Sequence, residues 1–318
     1  MPRPSTATPS RRGRRSRIAV PFFDGRMGGP TFEARAPGTG RPNHPDTRLV
    51  TTSEELSGQP AETAIPRLMD EYADHVYGLG LRLCDDPDKA EDLVQETFLR
   101  ALKSWDGFDG RSKPSTWLYT IASRACQRME RRRAGEPRRL RSLEQLLPSG
   151  ETVVLDLPGT GETPLEWTER KDVQRAVRNA IDSLPLHFRL PLVLKEMEEL
   201  SVEDVAKVLG IKPATVKTRL HRARLLVRKE LEKPLPRRRA AETHDSEREC
   251  LDLLWAKQEA LDHGVEFPIP GERLCERCRS VFATLEMASD VCHALGNAKL
   301  PDRARRKLEA KVMGTRGP

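Results

Sequence analysis

The stretch from Ser201 to Arg224 constrains this chain more than any other. It reads Ser-Val-Glu-Asp-Val-Ala-Lys-Val-Leu-Gly-Ile-Lys-Pro-Ala-Thr-Val-Lys-Thr-Arg-Leu-His-Arg-Ala-Arg. Ser201, followed by Asp204, suits a helix start, because side-chain oxygens take up backbone N–H groups that a helix N-terminus leaves bare. Val205, Ala206 and Leu209 make an apolar edge on that helix. Gly210 permits a tight turn, and Pro213 fits the first turn of a second helix, where its missing N–H costs nothing. Val216, Leu220, Ala223 and Val227 share one face of the second helix and point inward. Thr215, Lys217, Thr218, Arg219, His221 and Arg222 are left on the outer face. Two helices joined by a glycine turn, with hydroxyls and cations on the second, form a helix-turn-helix suited to phosphate clamping and base-edge contact in a major groove. An amphipathic pair with a solvated basic face is the plainer reading of the same residues.

The rest of the composition agrees with small helical units. A chain of 318 residues accommodates several modest domains, and only 37% of it is hydrophobic and 5% aromatic, against 32% charged. One large core would need more apolar surface than that. The net charge is +7, but its placement says more: eight arginines fall between Arg124 and Arg141, and no acid occurs from Val205 to Lys229. Two basic blocks inside helical patterns suit a polyanionic partner. No run of apolar residues is long enough to span a bilayer, and Ile18 to Phe23 is too short for a signal core, so a cytoplasmic protein with no membrane partner is expected. Six cysteines do not make a disulfide scaffold, and in a reducing compartment they stay as thiols or bind metal.

Along the chain, residues 1–60 are rich in Pro, Gly, Arg, Ser and Thr and are expected to be a disordered basic tail. Residues 61–135 carry helical periods, including Leu68, Tyr72, Val76 and Leu79, then Ala90, Leu93, Val94 and Phe98. Asp86 before Pro87 is a candidate N-cap. Residues 136–163, with Pro137, Pro148 and Pro158, are expected to be a flexible linker. Helical period then occupies 164–233, broken at Ser183-Leu184-Pro185 and at Leu209-Gly210-Ile211. Residues 240–318 form a further helical region with cysteines. No β alternation stands out, so the expected class is all-α: two small helical domains, a C-terminal extension and a disordered N-terminus.

The segment Leu184-Pro-Leu-His-Phe-Arg-Leu-Pro-Leu-Val-Leu followed by Ser201 to Arg224 resembles region 4 of the extracytoplasmic-function (ECF) RNA polymerase sigma factors of the sigma-70 family. Independently, Ala90-Glu-Asp-Leu-Val-Gln-Glu-Thr-Phe-Leu-Arg-Ala and Ser115-Thr-Trp-Leu-Tyr-Thr-Ile-Ala resemble region 2 of the same family. The resemblance covers about half of the chain. It implies a factor that binds core RNA polymerase at the beta-prime clamp, recognises promoter DNA and initiates transcription of a particular gene set, responsive to stress or metal. On that basis Asp92, Gln95, Glu96, Phe98 and Leu99 would face the polymerase. Arg124, Arg128, Arg131 and Arg132 would hold the strand at the minus-ten element, and Thr215, Lys217, Thr218, Arg219, His221 and Arg222 would meet the minus-thirty-five element. Family members commonly carry Asn where Arg124 stands and Asp where Arg128 stands, so the family's minus-ten base preference is not carried over. An anti-sigma factor is a further implied partner. No catalytic residue and no required cofactor are expected.

Minimal members of that family end near Leu231. The added segment, with Cys250, then Leu274-Cys275-Glu-Arg-Cys278, resembles the small zinc-binding domain of anti-sigma factors. Cys-x-x-Cys supplies two ligands from one turn, and Cys250 and His263 are candidates for the remaining positions of a zinc or other thiophilic metal site. The His that the anti-sigma pattern places just before the pair is absent, with Gly271 standing about there. Cys292 would lie about 20 Å along a continuous helix from Cys278, at about 1.5 Å per residue, and so outside one shared site. Cys84 and Cys126 fall on core positions. A structural metal site, a metal- or redox-responsive switch and an unmetallated helical domain all remain open on these residues. Two rival functions are weaker. A helix-turn-helix regulator acting without polymerase would leave the region 2 motifs without a reason, and an enzyme would need a nucleophile or metal cluster such as His-Glu-x-x-His, which does not occur.

Overall fold

The computed structural model describes residues 52–56, 58–84, 86–131, 146–148, 153–155, 170–240, 246–295 and 298–314. The chain divides into two units, Met1–Pro45 and Asp46–Pro318, and every described residue belongs to the second.

A single capped turn, α1 (Ser53–Leu56), precedes the first bundle. Its start is fixed reciprocally: Glu55 N–H donates to Thr52 Oγ1 at 3.2 Å, and Thr52 N–H donates to Glu55 Oε2 at 3.0 Å. Leu56 is fully buried. The expected disordered tail of residues 1–60 therefore does not extend through this turn. A turn carrying one anchoring leucine is too short to register as a period, and residues 1–51 lie outside the described residues.

Helices α2 (Ala61–Cys84), α3 (Pro87–Lys103) and α4 (Pro114–Arg131) form the first bundle. Asp86 caps α3 by accepting from Asp88 N–H at 3.0 Å, with Pro87 in the first turn. Leu68, Leu79, Leu93, Phe98 and Leu118 are fully buried at its centre. Each contributes about 1.5–3 kcal/mol by leaving water. Gly80 allows α2 and α3 to touch: a Cβ there would stand 2.9 Å from Ala90 Cα and Cβ. The cysteines Cys84 and Cys126 are buried, as core positions should be.

The second bundle comprises α5 (Lys171–Asp182), α6 (Leu186–Glu196), α7 (Val202–Leu209) and α8 (Pro213–Leu231). Ser201 caps α7 by accepting from Asp204 N–H at 3.0 Å. Gly210 closes it with φ 64°, a left-handed geometry that favours glycine. Val216, Leu220, Ala223 and Val227 are all buried on the inner face of α8.

The extension adds α9 (Glu247–His263), α10 (Glu276–Leu295) and α11 (Asp302–Gly314). A full capping box between Ser246 and Glu249 starts α9, and Gly264, at φ 64°, ends it. Leu300, Ala304, Leu308 and Val312 recur every four residues and are buried, which lays α11 against α3.

One feature departs from the all-helical expectation. Val153–Leu155 (β1) pairs antiparallel with Arg237–Arg239 (β2), in a two-stranded sheet. Strands of three residues are too short to display alternation, and their partners are far apart in sequence. Val154 and Leu155 are buried beneath α10, where Ser280 Oγ donates to Leu155 O at 3.2 Å. The first and second bundles also touch each other, α4 against α7. Tyr119 donates to Glu198, which also lies 3.1 Å from His75 Nδ1.

Candidate nucleic-acid interface

Helix α8 carries six of the residues that the sequence assigned to DNA, and α9 of the extension meets two of them, Lys217 and His221. Lys217 forms an ion pair with Glu259. His221 Nε2 stands 3.0 Å from Asp262 Oδ2, and its ring packs 5.3 Å from the ring of Trp255. Arg224, which the sequence reading did not single out, bridges two elements: Nη1 donates to Asp262 at 2.6 Å, and Nη2 donates to Glu196 at 2.8 Å. Ser289 on α10 donates to the other Glu196 oxygen at 2.5 Å. His221 is thus buried, on the side of α8 that α9 meets. Thr215, Arg219 and Arg222 are half-buried, and Thr218 is exposed, its hydroxyl donating to Ala214 O at 2.9 Å.

The buried charges here stay charged. Burial pushes Glu196 upward, but the Arg224 guanidinium and the Ser289 hydroxyl more than offset it and leave the carboxyl below its ordinary value. Asp262 follows the same logic: burial raises it, and the bonds and charges of His221 and Arg224 bring it below its ordinary value. Burial pulls Arg224 down, and the two carboxylates hold it above its ordinary value. An ionised network of this kind survives only because each charge has a partner.

The other basic helix, α4, is arranged differently. Arg124 is exposed, and Arg128 Nη2 lies 3.8 Å from Glu96 Oε1 at the surface. The Arg131 side chain and Arg132 lie outside the described residues. Beside the loop that leads into α4, Trp105, Phe108 and Trp117 form a cluster with ring centroids 5.1–5.6 Å apart. Trp105 Nε1 donates to Gln59 O at 2.8 Å, which ties this cluster to the start of α2. Trp117 itself is half-buried.

On α3, Asp92 is exposed, and Gln95, Glu96 and Leu99 are half-buried. Phe98 is fully buried, which corrects its assignment to the polymerase face: it supports that helix from within and has no surface to offer a partner. Lys311 of α11 donates to Gln95 at 2.5 Å.

Comparison with known proteins places both bundles. Residues 68–136 match Sigma-70 region 2, and residues 174–227 match Sigma-70, region 4. The ECF RNA polymerase sigma factor SigW of Bacillus subtilis is 34% identical over 170 residues, which span 54% of this chain and 90% of that relative. The chain belongs to the ECF sigma factors. A second relative, the ECF RNA polymerase sigma factor SigE of Mycolicibacterium smegmatis, is 35% identical over 200 residues, 59% of this chain and 73% of its own length. A solved sigma factor RpoE, in complex with the anti-sigma factor NepR from Bartonella quintana, aligns at 24% identity with a TM-score of 0.38, over 53% of this chain and 96% of that one. That likeness is too loose to carry an argument. As an ECF sigma factor the chain recognises promoters and initiates transcription with RNA polymerase. The first bundle is its region 2 and the second its region 4. Neither family match reaches the extension.

In the extension of this sigma factor, Cys250 of α9 and Cys275 and Cys278 at the start of α10 bring their sulfurs within 4.8 Å of one another. Hydrogen bonding to Cys275, burial and the neighbouring sulfurs push the Cys278 thiol far up. Three thiols so close cannot all ionise by themselves, whereas a cation with Zn–S bonds of about 2.3 Å would draw them together as thiolates. The donor set therefore fits a thiophilic ion through three positions. His263 does not join them. It sits at the far end of α9 from Cys250, and its Nε2 lies 3.1 Å from Glu259 Oε1. Gly271 offers no side chain, and among the described residues no fourth ligand completes the cluster. Cys292 is buried near the end of α10, far from the three. No helix among the described residues is long and apolar enough to cross a membrane.

Proposed function

We propose that this sigma factor reads a minus-thirty-five element with α8, through Thr215, Lys217, Thr218, Arg219, His221 and Arg222, and a minus-ten element with Arg124, Arg128, Arg131 and Arg132. The observation that carries this reading is the helix-turn-helix itself. Val216, Leu220, Ala223 and Val227 of α8 are buried inward, while Thr215, Lys217, Thr218, Arg219 and Arg222 keep exposed or half-exposed positions on its other sides. Asp92, Gln95, Glu96 and Leu99 form the surface of α3 that meets the beta-prime clamp of core polymerase, in the cytoplasm where both partners are found. The gene set is one induced by stress or metal. The test is a footprint with core polymerase on promoter DNA. Lys217→Ala with Arg222→Ala abolishes protection at the minus-thirty-five position while core binding persists. Loss of core binding as well would overturn the assignment of roles.

In the same reading, Cys250, Cys275 and Cys278 hold a zinc or similar thiophilic ion, which fastens the start of α9 to the start of α10. The ion serves as a cross-link, with no reaction of its own. Metal analysis of the purified chain yields near-stoichiometric zinc that a Cys275→Ser, Cys278→Ser variant lacks; an equally metal-free parent and variant would refute it.

A further inference from the structure

We propose that α9 is an inhibitor built into the chain: it occupies the face of α8 that promoter DNA requires, with Glu259 and Asp262 standing in for DNA phosphates. This rests on the reading of α8 as the promoter-reading helix.

The contacts fall on one side of α8 and include two of its DNA-assigned residues, Lys217 and His221. Lys217, His221 and Arg224 form one stripe on α8, spaced for a single side of a helix. Lys217 meets Glu259, and His221 and Arg224 meet Asp262. Two carboxylates from one turn of α9 thus take up cations and a ring nitrogen that would otherwise be offered to a polyanion. Trp255, partly exposed, packs on His221 from the same helix. Lys257 pairs with Glu286 of α10, which holds α9 in this position.

Shape excludes sharing. A helix with its side chains is about 10–12 Å across, and a major groove is about 12 Å wide, so the groove admits α8 alone and not α8 with α9 against it. The same extension reaches region 2. Asp74 of α2 accepts from Leu300 N–H at 2.9 Å and from Arg305 Nη2 at 2.7 Å, and Lys311 holds Gln95. The extension therefore lies on both the promoter-reading helix and the polymerase-facing helix of its own chain.

The interface is also of a kind that can part. Its centre is an ion network, and ion pairs withdrawn from water add less net stability than apolar packing of the same volume. Charges that pair with carboxylates in one state can pair with phosphates in another at little further cost.

The experiment uses the full chain and a pool of short duplex DNA with a randomised centre, measuring the fraction retained. A Glu259→Gln, Asp262→Asn variant retains about tenfold more DNA than the parent, the equivalent of about 1.4 kcal/mol. Glu266→Gln, the same charge change at an exposed loop position, does not. Should Asp262→Asn disturb folding, as seen by circular dichroism, Glu259→Lys compared with Glu266→Lys serves instead, because Glu259 is half exposed. Adding Lys217→Ala removes the gain. Equal retention by parent and opened variants overturns the proposal, as does a gain that survives Lys217→Ala. If hydrogen exchange shows α9 gone from α8 and still no variant retains DNA, the promoter-reading role of α8 fails, and the inhibitor proposal fails with it.

Discussion

The two basic helices, α4 and α8, read alike in sequence and meet opposite surroundings. On α4, Arg124 faces solvent, and Arg128 approaches Glu96 at the surface. On α8, Lys217, His221 and Arg224 are each matched to a carboxylate of the extension, and the pairs with Asp262 are buried. The number of cations on a helix thus fixes what it can bind, whereas availability depends on what the remainder of the chain sets against it. The supporting structure differs as well. Region 2 rests on an apolar centre, and region 4 meets the extension through ionised groups on α9 as well as apolar residues of α10 such as Ala288 and Val291.

That contrast can be broken at several points. Phe98→Ala empties the centre of region 2 and costs about 3–5 kcal/mol in urea unfolding, independent of salt; unchanged stability with selective loss of polymerase binding would return Phe98 to the surface. Glu196→Gln leaves Arg224 with Asp262 alone and costs about 3 kcal/mol, as when one member of a buried pair is removed. The same variant flattens the acid response. Glu196 and Asp262 sit below their ordinary values when folded, so the stability they add is whole above the ordinary carboxylate range and is lost as the pH falls through their folded values. Urea midpoints followed from neutral pH downward read this directly, and a parent without acid sensitivity would contradict the ionised network. Gly80→Ala forces α2 from α3 and costs about 1–3 kcal/mol, seen as a lower melting temperature. Arg124→Gln, at the exposed position of α4, changes stability by less than about 1 kcal/mol. A larger loss there would mean that α4 is also held from within.

Much of this architecture was legible in the residues. The caps at Asp86 and Ser201, the turn at Gly210 and the inward stripe of α8 all follow from local chemistry, and the structure places each as expected. Local pattern also suggested that Cys292 stands apart from Cys278, because one helix carries both. The omissions share a cause. β1 with β2, Tyr119 with Glu198, and α9 on α8 each join segments distant in sequence, to which periodicity is blind. Cys250 and His263 were both candidates for the remaining ligand positions, but a continuous α9 sets them at opposite ends. One sequence signal for the cover on α8 did exist. The acid-free run from Val205 to Lys229 has a counterpart in Glu259 and Asp262, one turn apart beside Trp255. Arg224 passed unremarked because a basic residue in a basic helix carries no mark of its burial.

The connection between α8 and α9 is short, Glu232–Ser246, and its β2 strand is clipped to β1, with Arg238 paired to Glu276. A ligand tethered so closely is present at an effective concentration on the order of mM, whatever the abundance of the chain. A separate inhibitor can be outnumbered, diluted or destroyed while its target survives. Here the two are made in equal number by the same ribosome, and their ratio cannot drift with expression level. Supply is thereby removed as a means of control, and a signal must act on the posture of each molecule individually.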